Sequence, residues 1–289
     1  MRPADEAATK PRGDAAGSGA ALLDVAHLTK RFDTAGGTIV AIEDISFSVA
    51  QGRFVSIIGP SGCGKSTLFN IIGGLIGGYD GRVSVSGETV RGTHPSIGMV
   101  FQEQSTFPWR TVLENVAFPL EIAGVPKAER HARAERFIAM VGLAGFSARY
   151  PAELSGGMRQ RVALARTLAS EPRILLMDEP FAALDEQTRL LLGDRVLQIQ
   201  QSLQQTTLLI THNLAEAVQL SDRVLVMSYR PGRLLRAVDI ALPRPRDSEV
   251  VGSAEFGRYV AEIWHDLRIE ASRGIVDDEA RLLQAAPKR

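Results

Sequence analysis

The stretch Gly59-Pro60-Ser61-Gly62-Cys63-Gly64-Lys65-Ser66-Thr67 constrains this chain more than any other. It fits G-x-x-x-x-G-K-[ST], follows a compact apolar run (residues 54–58), and leads into a helical pattern with Leu68, Ile71, Ile72 and Leu75 on one face, stopped by Gly77-Gly78. The glycines let the backbone wrap closely around a phosphate and aim successive N–H groups at it. The start of a helix adds partial positive charge at the same place. Lys65 is then placed to reach the β- and γ-phosphates, and the Ser66 hydroxyl to ligate Mg²⁺. Taken alone, the loop implies a nucleoside triphosphate and nothing narrower, because kinases, GTPases, helicases and transport ATPases share it. Cys63 sits at a free position of the loop. The plain reading is a small residue that fits; the sharper one is a thiol whose alkylation blocks ATP binding.

The rest of the pattern supplies a sheet for that loop. Residues 25–32 and 38–49 are β-rich runs broken by glycines, which suggests antiparallel hairpin elements. Residues 97–101, 174–177, 206–211 and 223–227 are short apolar runs of strand length. A helix with Leu192, Val196, Ile199 and Leu203 on one face lies between the second and third of them. Strand, helix, strand at this spacing means parallel β with crossover helices. Residues 112–170 read as mostly helical, with breaks at Pro119, residues 124–126, residues 142–145 and Pro151. Residues 1–20 are Ala, Gly, Pro and charge without periodicity and are expected to be disordered. The tail holds an amphipathic helix with Phe256, Val260, Ile263 and Leu267 on one face.

Three further groups carry chemistry. The apolar run 174–177 ends in Asp178-Glu179. Asp178 at a strand end can hold Mg²⁺, and Glu179 just beyond it is placed to polarise an attacking water as a general base. A solvated acidic turn is the plain alternative. His212 ends the apolar run 207–211, where ligands gather in open parallel sheets, and can contact a γ-phosphate, although a lone His is more often structural. Gln102 follows the run 97–101 and could bridge Mg²⁺ and the attacking water. Finally, Leu154-Ser155-Gly156-Gly157-Met158 precedes a helix with Val162, Ala165, Leu168 and Ala169 on one side. Ser155, Gly156 and Gly157 at that helix start make a second anion-binding nest.

Two phosphate-binding turns in one chain need an explanation, and the ordered set of motifs resembles the ATP-binding cassette (ABC) ATPases. Their signature is this LSGG element, here 23 residues before Asp178. The resemblance spans residues 22–245 and implies an α/β P-loop NTPase: a RecA-like, mostly parallel sheet with an antiparallel β subdomain and an α-helical signature subdomain at about residues 103–170. The implied layout is a cassette at 21–245 followed by a tail at 246–289. In this family two cassettes pair head to tail, each ATP lying between one chain's residues 59–67 and the other's signature. The resemblance also implies that Ala183-Leu184-Asp185 is the D-loop, with Asp185 at the nucleotide, and that Phe32 stacks on adenine. Many members have Tyr there, and Phe keeps the π face without the hydroxyl. Phe32 is alternatively a hairpin core residue. The signature ends in Met158 where many members have Gln.

Composition narrows the class. Lys plus Arg and Asp plus Glu number 33 each, so the net charge is zero, which argues against a protein that coats nucleic acid. One cysteine excludes an intrachain disulfide and a Cys-rich zinc site, and no run of about 18 apolar residues spans a membrane. Pro108-Trp109-Arg110-Thr111-Val112 followed by Glu114-Asn115-Val116 is similar to the nitrate, sulfonate and taurine importer subfamily, as is Asp178-Glu179-Pro180-Phe181-Ala182-Ala183-Leu184-Asp185 with Thr188-Arg189. That implies a peripheral ATPase on the cytoplasmic face of the inner membrane, with ATP and Mg²⁺ as its ligands. Its partners would be a second copy of the cassette, membrane-spanning permease subunits docking near Trp109, and indirectly an extracytoplasmic solute-binding protein; nucleic acid is not among them. Importers of thiamine precursors, bicarbonate or aromatic acids have similar cassettes, and a cassette working outside transport is a further alternative.

Overall fold

The computed structural model describes residues 21–285 apart from Gly36, Gln104 and Ala183. The expected disorder of residues 1–20 and the Ala183 position of the D-loop lie outside the described residues. Two sheets organise the described residues. Strands β1 (Ala21–Thr34) and β2 (Gly37–Ala50) pair antiparallel as the glycine-broken pattern suggests, and β4 (Asp80–Val85) and β5 (Glu88–Thr89) extend them in the order β2-β1-β4-β5. The second sheet has the order β10-β9-β3-β8-β7-β6, from β3 (Phe54–Ile58), β6 (Ile97–Val100), β7 (Ile174–Asp178), β8 (Thr206–Ile210), β9 (Arg223–Met227) and β10 (Leu234–Asp239). Strands β3, β6, β7, β8 and β9 run parallel, and β10 returns antiparallel on β9. Strands β3, β7 and β8 are buried along their whole length, which is why they read as continuous apolar runs rather than alternating ones.

Both faces of this sheet are covered. On one, helix α1 (Lys65–Ile72) and the antiparallel sheet enclose a core with Leu28, Ile42, Phe69, Ile72 and Val83 fully buried. On the other lie α2 (Val112–Ile122), α3 (Lys127–Met140), α4 (Gly156–Ala169) and α5 (Glu186–Leu203), sharing a core around Val116, Phe137, Val162 and Leu175. Helix α6 (Leu214–Leu220) and the long tail helix α7 (Ala254–Ala285) pack on β9 and β10 through Val218, Val224, Val238, Phe256 and Ile263. The expected apolar face of the tail helix is the packed one.

Several local expectations are corrected. Helix α1 ends at Ile72 rather than at Gly77-Gly78: Gly74 takes φ +74°, and a side chain there would lie 1.8 Å from the Gly92 carbonyl, so the chain turns early and leaves Leu75 exposed. Pro119 does not break α2, because the buried face of Val112, Asn115, Val116 and Leu120 holds the helix through it. Phe101 falls outside β6 and is exposed. Strands β4 and β10 give no apolar run long enough to recognise, since β4 is buried only over its last three residues and β10 only at Val238.

Candidate nucleotide site

The parallel strands deliver the loop, the acids and the histidine to one edge of the sheet. Strand β3 runs into residues 59–64 and α1 begins at Lys65. Gly62 and Gly64 have φ of +70° and +99°, in the left-handed region that favours glycine. Gly59 is required by packing instead: a Cβ there would sit 2.9 Å from Cys63 Sγ and 3.1 Å from Met227. Lys65 is buried and donates from Nζ to the carbonyls of Gly59 (2.8 Å) and Pro60 (2.9 Å), so its ammonium is held on the loop itself. The Cys63 side chain is fully buried in the core, and burial pushes its thiol pKa up despite neighbouring Lys65. That removes the alkylation reading, since a buried neutral thiol is a poor nucleophile. Ser61, Ser66 and Thr67 remain accessible on the loop.

Asp178 closes β7, buried, with its carboxyl pKa raised by desolvation; the Ser66 hydroxyl hydrogen-bonds to it and Lys65 lies near enough to favour its charge. Glu179 follows at φ +45°, and its amide donates to the Ile210 carbonyl (2.9 Å), continuing the β7–β8 ladder one residue past the strand. This left-handed turn is uncommon for a residue with a side chain. Glu179 Oε2 accepts from Gln102 Nε2 (3.3 Å) and lies 3.3 Å from His212 Nδ1. Three residues from three different strand ends, singled out separately in the sequence, therefore meet at one oxygen. Ser66, Asp178 and the Gln102 amide are oxygen donors of the kind Mg²⁺ prefers, and a cation beside Asp178 offsets the burial that disfavours its charge, so these residues fit the ion.

The helix start at residues 155–157 has its own partners. Ser155 caps α4, its hydroxyl accepting from the Met158 amide at 3.3 Å. A side chain at Gly157 would meet Leu184 at 2.9 Å. Gly156 lines a recess of about 320 Å³ with Gln102, Gln160, Glu179 and Leu184. Asp185 is an exposed helix cap for α5: its carboxylate accepts from the Thr188 amide at 2.9 Å, which lowers its pKa. Phe32 is partly exposed at the end of the hairpin rather than in its core, with the Lys30 ammonium 4.8 Å from its ring centre.

A loop ahead of α2 displays aromatic surface. Phe107 packs on Trp109 (centroids 5.7 Å apart) and on Phe118 (4.7 Å), while Trp109 itself is 72% exposed. The fully buried Asn115 fastens this loop, accepting from the Phe107 amide and donating to the carbonyls of Phe107, Arg110 and Thr111.

One residue of the site escapes sequence reasoning. Glu216 is buried on α6 behind Glu179 and His212, hydrogen-bonded to the Thr211 hydroxyl, with burial pushing its pKa up to about 7 and Arg189 opposing that rise. The spacing Asn213-x-x-Glu216 is legible as a helix cap, and Asn213 does accept from the Glu216 amide (3.1 Å). What no cap pattern reveals is that the carboxylate turns inward.

Comparison with known proteins settles the family. A sequence model described as ABC transporter matches residues 42–182. An uncharacterized ABC transporter ATP-binding protein of Methanocaldococcus jannaschii is 49% identical over 244 residues, covering 84% of this chain and 91% of that one. The chain belongs to the ABC transporter ATP-binding family. This ABC ATPase is also similar to the nitrate import ATP-binding protein of Synechocystis, 44% identical over 252 residues, with 85% and 95% of the two chains covered. A solved dimeric ATP-binding cassette in a post-hydrolysis state, bound to ADP and phosphate, superimposes with a TM-score of 0.68 at 31% identity, covering 76% of this chain and all of that one. No helix among the described residues is long and apolar enough to cross a membrane.

Proposed function

We propose that this ABC ATPase energises a bacterial importer of a small oxyanion (nitrate, an alkanesulfonate or taurine) from the cytoplasmic face of the inner membrane. The observation that carries the catalytic half is the meeting of Gln102 and His212 at Glu179 Oε2, beside the Ser66–Asp178 pair. Residues 59–67 hold the triphosphate, with Lys65 turning from the loop carbonyls to the β- and γ-phosphates. Ser66, Asp178 and Gln102 would hold Mg²⁺, which would supply charge neutralisation for the phosphates. Glu179 takes the proton of the attacking water, Gln102 orients that water, and His212 holds both the carboxylate and the γ-phosphate in line. Phe32 stacks on adenine. The Ser155–Gly157 nest and Asp185 of a second copy complete the site, so hydrolysis requires a homodimer. The similarity to a cassette solved as a dimer supports this pairing.

The importer half rests on the exposed Trp109 with Phe107, held by Asn115 in the segment that follows Gln102 in the chain. This is a surface for a cytoplasmic helix of a permease, so dimer closure at Gln102 and permease movement are joined. The resemblance to a nitrate import ATPase favours an oxyanion. Bicarbonate is the second reading. Reconstitution with the permease and binding protein encoded beside it, in vesicles loaded with ATP, tests the proposal. Uptake of labelled nitrate, taurine or an alkanesulfonate supports it, and uptake of bicarbonate alone replaces it.

A further inference from the structure

The turn between β9 and β10 lies between the tail helix and the phosphate-binding loop and touches both. On the loop side, Arg230 Nε donates to the Gly62 carbonyl (2.9 Å), and Gly232 packs so tightly that a Cβ there would lie 2.0 Å from the Cys63 carbonyl oxygen. The turn is tied to β2 as well, through Gly232 N to Ala41 O (3.0 Å) and Glu43 N to Gly232 O (2.9 Å). On the tail side, Glu270 of α7 is buried and accepts from the Tyr229 amide through Oε2 (2.8 Å), while its Oε1 accepts from Arg273 (2.6 Å). One turn further along α7, Gly274 leaves a notch for the Tyr229 ring: a Cβ at Gly274 would stand 3.0 Å from that ring. Glycine inside a helix is unfavourable, and here it permits a close approach.

A peptide unit is planar, with its carbonyl and the next amide pointing in opposite directions. Holding the Gly62 carbonyl therefore fixes the direction of the Cys63 N–H, which donates to the Pro60 carbonyl at 3.4 Å and so sets the turn on which the rest of the phosphate-binding loop is built. We propose that Glu270 is a positioning residue for the nucleotide site: through Tyr229 and Arg230, the tail helix holds the Gly62–Cys63 peptide, and with it the turn of the phosphate-binding loop. The tail thereby sets nucleotide affinity without touching nucleotide, and anything that lifts α7 off the turn lowers that affinity. The proposal rests on nucleotide binding at residues 59–67.

The test titrates the full chain, with Mg²⁺ present, with a fluorescent mant-ADP probe. Arg230→Ala and Glu270→Ala each weaken binding about fivefold, the worth of roughly one hydrogen bond. The double variant is no weaker than either single one, because both cut the same connection. Glu270→Gln keeps an acceptor for the Tyr229 amide and stays within about twofold of wild type. Unchanged affinity in Glu270→Ala, a lowered melting temperature without an affinity change, or losses that multiply in the double variant overturn the proposal. Should Glu270→Ala not fold, Arg230→Ala, whose side chain is exposed, and Gly274→Val, which displaces the Tyr229 ring, carry the test; unchanged affinity in both overturns it. Wild-type chain that does not bind the probe at all removes the nucleotide reading itself, whereas tight wild-type binding with unaffected variants removes only the role of the tail.

Discussion

His212 Nδ1 lies 3.3 Å from Glu179 Oε2, the oxygen that also accepts from Gln102. The carboxylate reaches this point because Glu179 adopts a left-handed backbone conformation one residue beyond β7, anchored by its amide to Ile210. Substitution to Gln keeps the size and one acceptor oxygen and removes the charge and the ability to take a proton. Glu179→Gln is expected to lower ATP turnover by at least about 100-fold, the usual contribution of a general base, while nucleotide binding stays within a few-fold of wild type. Steady-state phosphate release and a binding titration on the same preparation check this. Turnover near the wild-type rate rules Glu179 out as the base.

Glu216 imposes a pH dependence on stability. Its pKa is raised from an ordinary 4.5 to about 7, chiefly by burial. Arg189 from α5 opposes the rise and Glu179 beyond β7 adds to it, with His212 lining the same pocket. Between those two pH values the folded chain keeps a proton that the unfolded chain has released. Stability from this group is therefore complete below about pH 4.5 and is lost as pH rises to 7, by about 3 kcal/mol in all. Denaturant unfolding of wild type and Glu216→Gln at pH 5 and pH 8 isolates it: the gap between the two should shift in favour of Gln by that order as pH rises. A gap independent of pH contradicts it.

Asn115 should be intolerant of change. It makes four hydrogen bonds to the backbone of the loop carrying Trp109, from a fully buried position. Asn115→Leu keeps the branching of the side chain and strands the part-buried Phe107 amide and its neighbouring carbonyls, at a cost of about 2–4 kcal/mol. Trp109→Ala, on an exposed side chain, should leave stability within about 0.5 kcal/mol. Thermal unfolding measures both. In vesicles, each should uncouple ATP hydrolysis from uptake more than it lowers hydrolysis. Equal loss of both activities in Trp109→Ala contradicts a docking role.

The contrast between these residues shows what a sequence exposes. Residues 59–67, Asp178 and Glu179 were legible because their chemistry needs neighbours in the chain: a loop must be glycine-rich where it wraps, and an acid must end an apolar strand. The junction of Gln102, Glu179 and His212 was legible only in part, since the parallel order of β6, β7 and β8 is what brings three strand ends together. Glu216 shows only its capping spacing, which says nothing of its burial, and Arg230 gives no signal, because its partner is 168 residues away. Leu75 was misread because an apolar residue at helical spacing continued the pattern past a glycine pair that ends the helix.

Ser155 separates two roles that a simple deletion would confuse. Its hydroxyl caps α4 through the Met158 amide, and the same nest is proposed to face the γ-phosphate bound by a second copy. Alanine removes both and is expected to destabilise the helix by about 1 kcal/mol. Aspartate is as good a cap as serine and suits the positive end of a helix, so Ser155→Asp should keep or raise the melting temperature. Its carboxylate, however, repels a phosphate in the paired site. Ser155→Asp is therefore expected to retain nucleotide binding by the monomer and to lose dimer formation with ATP, seen by size-exclusion chromatography in the Glu179→Gln background. If Ser155→Asp dimerises with ATP as readily as Ser155 does, the nest at residues 155–157 does not face a partner's phosphates.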